Sequence, residues 1–212
     1  MHVRNLEAGV GQRTQAARRE RSRGKLLEAA ARNLSRYGYA NLKLAQVAAD
    51  AGYTRGALYH QFADKEELAM AVLDWTAQSW QSEVGELVAA EDDPVAALLT
   101  LARGHAIFCR RDVARVEIAL RLEFSGRDHP IGRHMDDVSA GLVKRCARLI
   151  TAGRRAGEIP AGPPAPAVAR ALIGAVEGVV IAMEGKAPQD AELTVRAAAG
   201  VLGVSPGKPA SR

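Results

Sequence analysis

Apolar residues recur at helical spacing along almost the whole chain, and turn residues cut the pattern into segments. Leu27, Ala30, Ala31 and Leu34 share one face over residues 23–37, and Gly38 ends that helix. Leu44, Val47, Ala48 and Ala51 fall at i, i+3, i+4 and i+7, predicting a short helix that Gly52 stops. Thr54 can cap a second short helix over residues 55–62, with Leu58 and Phe62 inward and Arg55, Tyr59 and His60 on the other face. Asp64 and Glu67 have capping-box spacing, and Leu68, Val72 and Trp75 form the inward stripe of the helix that follows. Beyond Trp80 helices are expected over residues 94–110, 112–124, 131–156, 167–184 and 190–202, the second with Asp112 as cap. Residues 125–130 read as a loop and the proline-rich run 160–166 as a connector. The expected fold class is all-α, a three-helix head followed by a larger helical domain.

The pair of short helices carries the chemistry. Two helices joined through a tight glycine turn form a helix-turn-helix, whose second helix lies in the major groove of DNA. Arg55, at its start, can donate two hydrogen bonds to guanine O6 and N7, worth roughly 1–3 kcal/mol of discrimination. Gly56 and Ala57 leave room for that approach, and Ala57 can meet a thymine methyl. Thr54, Tyr59 and His60 suit phosphates, which position the protein without reading sequence. A single arginine or histidine on a helix is usually solvated, but here several candidates converge on one short helix.

The segment from about residue 20 to 80 resembles the N-terminal domain of the tetracycline-repressor (TetR) family of bacterial regulators. The resemblance rests on the run from Gly52 to Phe62, GYTRGALYHQF, followed by Asp64-Lys65-Glu66-Glu67-Leu68. It implies a positioning helix over residues 44–51 and a recognition helix over 55–61. It also implies phosphate or groove contacts from Thr54, Tyr59, His60 and Lys65. Members usually carry a Thr-Ser or Thr-Thr pair before the positioning helix, whereas this chain has Leu42-Lys43. Lys43 then supplies a phosphate contact as a charge rather than as a hydroxyl cap. Leu34 stands where a phenylalanine is common, a tolerable core exchange.

Charge divides the chain in the same way. Residues 1–66 hold 12 Lys/Arg against 6 Asp/Glu, a net of +6, whereas residues 67–212 hold 17 against 18, a net of −1. A positive end of this kind attracts the phosphate backbone and makes binding salt-dependent. Much of it sits in a basic leader, Arg13, Arg18, Arg19, Arg21, Arg23 and Lys25. Residues 1–19 read either as a basic arm along the duplex or as a solvated tail, and both readings stand. The expected divisions are therefore the arm at 1–19, the DNA-binding head at 20–80 with its motif at 43–62, a helical domain at 81–204 and a tail at 205–212.

The segment 167–184 is apolar almost all round, so it must be buried in a core or at an interface. Ala171, Gly174, Ala175 and Gly178 are spaced for close helix approach. Paired with 190–202, it is expected to build a four-helix seam across a two-fold axis, where the resemblance also places dimerisation. Leu172, Ala175, Val176, Val179, Met183, Val195, Ala198 and Leu202 are the expected interface. A two-headed homodimer is what a palindromic site needs.

The resemblance implies a small-molecule pocket in the second domain. Its candidates are Trp75, Trp80, His105, Phe108, Met135 and Met183, with Glu117, Arg121 and Glu177 as polar anchors. Aromatic and methionine side chains at helical spacing are more often core.

Other classes find little support. No apolar run approaches the roughly 20 residues needed to span a bilayer, and the N-terminus lacks the hydrophobic core of a signal peptide. Cys109 and Cys146 are isolated, as in a cytoplasmic protein with free thiols, although their separation leaves a redox pair open. Asp128-His129 and His134-Met135-Asp136-Asp137 read as solvated groups rather than a metal site, and residues 203–208 lack the spacing of a phosphate loop. No nucleophile elbow, zincin or paired-cysteine motif occurs, so neither an enzyme nor a cofactor is expected. The sequence thus points to a homodimeric regulator released from operator DNA by a ligand. The alternative is a ligand-independent DNA-binding module whose second domain only dimerises or holds a protein partner.

Overall fold

A computed structural model describes residues 4–206; the first three residues of the basic leader and the tail beyond residue 206 lie outside it. Among the described residues every regular element is helical. The first, α1 (Arg4–Tyr37), is longer than the segment 23–37 that the apolar pattern marks. The leader is rich in Ala and Arg, which favour helix, but after Leu6 and Val10 it has no large apolar residue before Leu26 and so shows no sustained periodicity.

The head continues with α2 (Leu44–Asp50), α3 (Arg55–Tyr59) and α4 (Lys65–Trp80). Thr54 caps α3 by accepting the Ala57 N–H. Asp64 caps α4 by accepting the Glu66 and Glu67 N–H groups, while the Glu67 carboxylate reaches back to the Ala63 N–H. At the start of α2, Lys43 makes no side-chain cap.

After α4 the helix loosens into a π-helical turn at Gln81–Gly85 before α5 (Glu86–Ala89). Then come α6 (Pro94–Phe108), a 3₁₀ turn (Asp112–Arg115), α7 (Val116–Phe124), α8 (Pro130–Arg155), α9 (Ala165–Met183) and α10 (Gln189–Leu202). Several boundaries differ from expectation: α3 stops at Tyr59 rather than at residue 62, and the π turn and α5 fall in a stretch for which no helix is expected. The segment after residue 111 opens as a 3₁₀ turn, and α9 begins within the expected connector. Pro166 sits in its first turn, where the missing N–H costs nothing.

Two cores hold the molecule. One joins Leu26, Leu34, Val47, Leu58, Phe62, Leu68 and Val72 of the head to Val116, Leu120, Phe124, Ile131 and Met135 of α7 and α8. The other joins Leu98, Leu101, Phe108, Ile150, Leu172, Val176, Ala198 and Leu202. The packing boundary therefore does not follow chain order, because α7 and the start of α8 complete the head. Arg110 grips α10 through Nε and Nη2 on the buried Asp190 carboxylate, at 2.9 and 2.8 Å.

Contrary to the sequence expectation, α9 is by length and hydropathy alone long enough to cross a bilayer. Its larger side chains, Val168, Leu172, Val176 and Val180, lie in the core against α6, α8 and α10. Packing thus accounts for its composition. The same packing corrects the expected interface: Leu172, Val176, Val195, Ala198 and Leu202 are buried within the chain itself. Ala175, Val179 and Met183 are only half-buried. The outward stripe consists of Ala171, Gly174, Gly178, Ile181 and Ala182 on α9, with Leu193 and Gly200 on α10.

Candidate nucleic-acid interface and ligand cavity

α2 and α3 are held on α1 by polar ties as well as by the core. Asn33 Nδ2 donates to Asp50 at 2.8 Å, Gln61 Nε2 donates to Ser22 Oγ at 3.0 Å, and the Arg23 guanidinium lies 4.6 Å from the Phe62 ring centroid. Leu58 anchors α3 from below. The opposite face carries Arg55, Gly56, Tyr59 and His60, all exposed, with Ala57 half-buried among them. Lys43 and Thr54 flank this surface and are also exposed. Lys65, at the first turn of α4, stacks its ammonium 4.3 Å above the Tyr39 ring. An open, cationic helix start with small neighbours can enter a groove, and the residues around it can meet phosphates on either side.

A cavity of about 440 Å³ lies between α4, α6, α7, α8 and α9. Six of the nine pocket candidates line it: Trp80, His105, Glu117, Arg121, Met135 and Glu177. The other three do not. Trp75 packs against the head core, Phe108 is buried in the second core beneath the Arg111 guanidinium, and Met183 lies at the far end of α9. Sequence reading missed Gln81, His134, Arg145 and Arg148, polar positions whose direction only the packing of α8 sets.

The lining is chemically divided. Trp80 Nε1 donates to His105 Nδ1 at 3.2 Å, which leaves the proton of the neutral ring on Nε2, 3.5 Å from Cys109 Sγ. Burial lowers the His105 pKa from 6.5 to about 4, so the ring is neutral at pH 7. Burial also raises the Glu117 carboxyl; Arg121 opposes the rise and Glu177 adds to it. Arg121 reaches Glu177 at 3.9 Å. At the opposite end Arg145 donates to Gln81, within the π turn, at 2.9 Å. π turns of this kind often mark functional sites. Burial raises the two thiols to about 12 for Cys109 and about 11 for Cys146, so both remain protonated and weakly reactive.

The head of the chain is similar to known proteins. Residues 26–72 match the model of "Bacterial regulatory proteins, tetR family". The chain is 29% identical over 137 residues to the A-factor receptor protein of Streptomyces griseus, covering 63% of this chain and 45% of that protein. It is 44% identical over 63 residues to the HTH-type transcriptional regulator CymR of Pseudomonas putida, covering 30% and 31%. The chain thus spans less than half the length of either curated relative. Among solved structures, AibR in complex with isovaleryl coenzyme A and operator DNA superposes with a TM-score of 0.70 at 18% identity, covering 87% of this chain and all of that one. The shared fold extends over both cores, and the sequence match falls on the helix-turn-helix. It is the segment 26–72, with the helix-turn-helix inside it, that matches the tetR family of bacterial regulatory proteins.

Proposed function

We propose that the protein is a homodimeric, sequence-specific transcriptional regulator that acts in the cytoplasm, holds a palindromic operator and releases it when a small molecule fills the cavity. The observation that carries this reading is the exposed face of α3, where Arg55 heads a helix start cleared by Gly56 and Ala57. Arg55 reads a base; Lys43, Thr54, Tyr59, His60 and Lys65 hold the backbone around it.

The cavity supports the ligand half of the reading by its position. Leu73, Ala77, Glu117 and Arg121 come from α4 and α7, which pack with the head; Leu142, Arg145, Ile173 and Glu177 come from α8 and α9 beyond it. A molecule lodged in that seam favours one angle between the two blocks over another, and only such a difference shifts an equilibrium. The AibR complex holds a small molecule and an operator on the same fold. The outward stripe of α9 and α10 supports dimerisation, since small residues let two helices approach closely. Repression follows from occupancy, as a bound operator is closed to polymerase.

Selection of bound sequences from a random duplex pool, with the mass of the complex recorded, tests this reading. Enrichment of a palindrome by a dimer is the expected result. Failure to enrich any sequence at moderate salt would overturn it in favour of non-specific binding or a protein partner.

A further inference from the structure

We propose that Glu123 is a positioning residue for DNA recognition: by clamping the turn between α1 and α2 onto α7, it fixes how α2 and α3 are seated on the head and hence the half-site spacing that the dimer accepts. The inference rests on the DNA-binding homodimer reading above.

α7 belongs to two structures at once. Val116, Leu120 and Phe124 sit in the core of the head, while Glu117 and Arg121 line the cavity. Its last turn carries Glu123, whose carboxylate accepts the Tyr39 N–H at 2.6 Å and the Ala40 N–H at 2.7 Å. These two amides follow Gly38, which closes α1 in the left-handed conformation at φ +73°. A Cβ on Gly38 would stand 2.8 Å from Glu123 Oε2, so the carboxylate occupies space that a side chain there would take. Two charge-assisted bonds to adjacent amides fix both the position and the orientation of the turn.

The turn leads straight to the DNA surface. The Leu42 N–H bonds to the Tyr39 carbonyl, and α2 begins two residues later. The Tyr39 ring meets Phe124 and His129 edge-on, with centroids at 5.3 and 5.6 Å, and lies under the Lys65 ammonium. His129 Nε2 lies 3.7 Å from Glu66 on the first turn of α4. The clamp therefore joins the helix that lines the cavity to the entry of the positioning helix and to the candidate phosphate contact Lys65. Apolar packing alone permits small shifts of the α1–α2 turn over α7; two directional bonds at the end of α7 oppose them. α2 packs on α1 and α3 on α2, so in a dimer a shift of the turn moves each recognition helix and appears as a change in their separation.

The test uses the full chain and the operator recovered by selection, remade with spacers one base pair shorter and one or two longer. The wild-type protein is expected to lose about tenfold or more in affinity when the spacer changes. Glu123→Ala, verified as a folded dimer, is expected to compress that spread to about twofold, by weaker binding to the selected spacing and relatively stronger binding to the others. Glu123→Gln, which keeps an amide oxygen as acceptor, should fall between, and it stands in if the alanine variant does not fold. A role in stability alone would lower affinity for all spacings alike, so an unchanged ranking in a folded variant overturns the proposal. A pool that enriches no palindrome would remove the DNA reading itself and this inference with it.

Discussion

Arg55 and Lys65 are both cations near the same surface, yet their placement assigns them different work. Arg55 stands on the exposed face of α3, so Arg55→Ala should relax base preference at one position of each half-site and cost about 1–3 kcal/mol there. Lys65→Ala should instead weaken binding to all sequences and reduce the salt slope by about 1, as a titration of affinity against salt would read. Two buried groups make stability fall on the acid side. His105 is neutral when folded, with its pKa lowered from 6.5 to about 4, so the unfolded chain binds its proton first and stability declines as pH falls through that window. Asp190 is lowered chiefly by its hydrogen bonds from Arg110, so its contribution is present above the ordinary carboxylate range and is lost as pH falls through the folded value. Thermal unfolding across pH should show the first decline vanish in His105→Phe and the second in Asp190→Asn. At this scale the sequence is most legible where the contact is local. Thr54 and Asp64 cap as their spacing predicts, because cap and amide lie within three residues. Glu123 was not legible, because its partners lie more than 80 residues away.

The helices themselves were readable wherever one face is apolar, and their directions were not. Periodicity marks α2, α4 and α8, but it is silent on the leader half of α1, which carries no sustained apolar stripe, and ambiguous on α9, which is apolar all round. On α9 the expected interface included Leu172 and Val176, and packing took both inward instead. What remains outside on α9 is mostly small, with Ile181 the large exception. A Cβ built on Gly174 or Gly178 meets nothing within 4 Å, so a side chain there costs the chain no contact of its own. Gly178→Arg should therefore leave the fold of the single chain intact, read as unchanged helical content by circular dichroism. The same change should shift the mass of the free protein from dimer towards monomer. A Gly178→Arg protein that remained wholly dimeric would move the interface off this face. The α6 glycine at 104 behaves in the opposite way: a Cβ there would come 2.8 Å from Val84, and Gly104→Ala should cost about 1–3 kcal/mol by overpacking, read by denaturant unfolding.

For the whole molecule, chain order and packing order disagree. The head and the second domain are consecutive in sequence, and charge separates them cleanly, which is why a boundary near residue 80 was the natural reading. Packing instead places Val116 to Met135 with the head and leaves the cavity along the seam. The candidate pocket residues were legible in part for the same reason: those on α7 reach the seam from the head side, whereas Arg145 and Arg148 depend on how α8 lies. Leu120→Ala, far from α3 in sequence but fully buried in the core beneath it, should destabilise the head by about 2–5 kcal/mol.

A core assembled from two distant stretches of chain also limits how such a protein can be recombined. A crossover at residue 80 would hand a new sensor domain a head stripped of Val116, Leu120, Phe124, Ile131 and Met135, together with the carboxylate that seats its first turn. The module that carries the helix-turn-helix is discontinuous in the chain. Exchange of the remaining helices by shuffling, in evolution or at the bench, succeeds only where the donor supplies equivalents of α7 and the start of α8, and the rest of the second domain is free to vary around them.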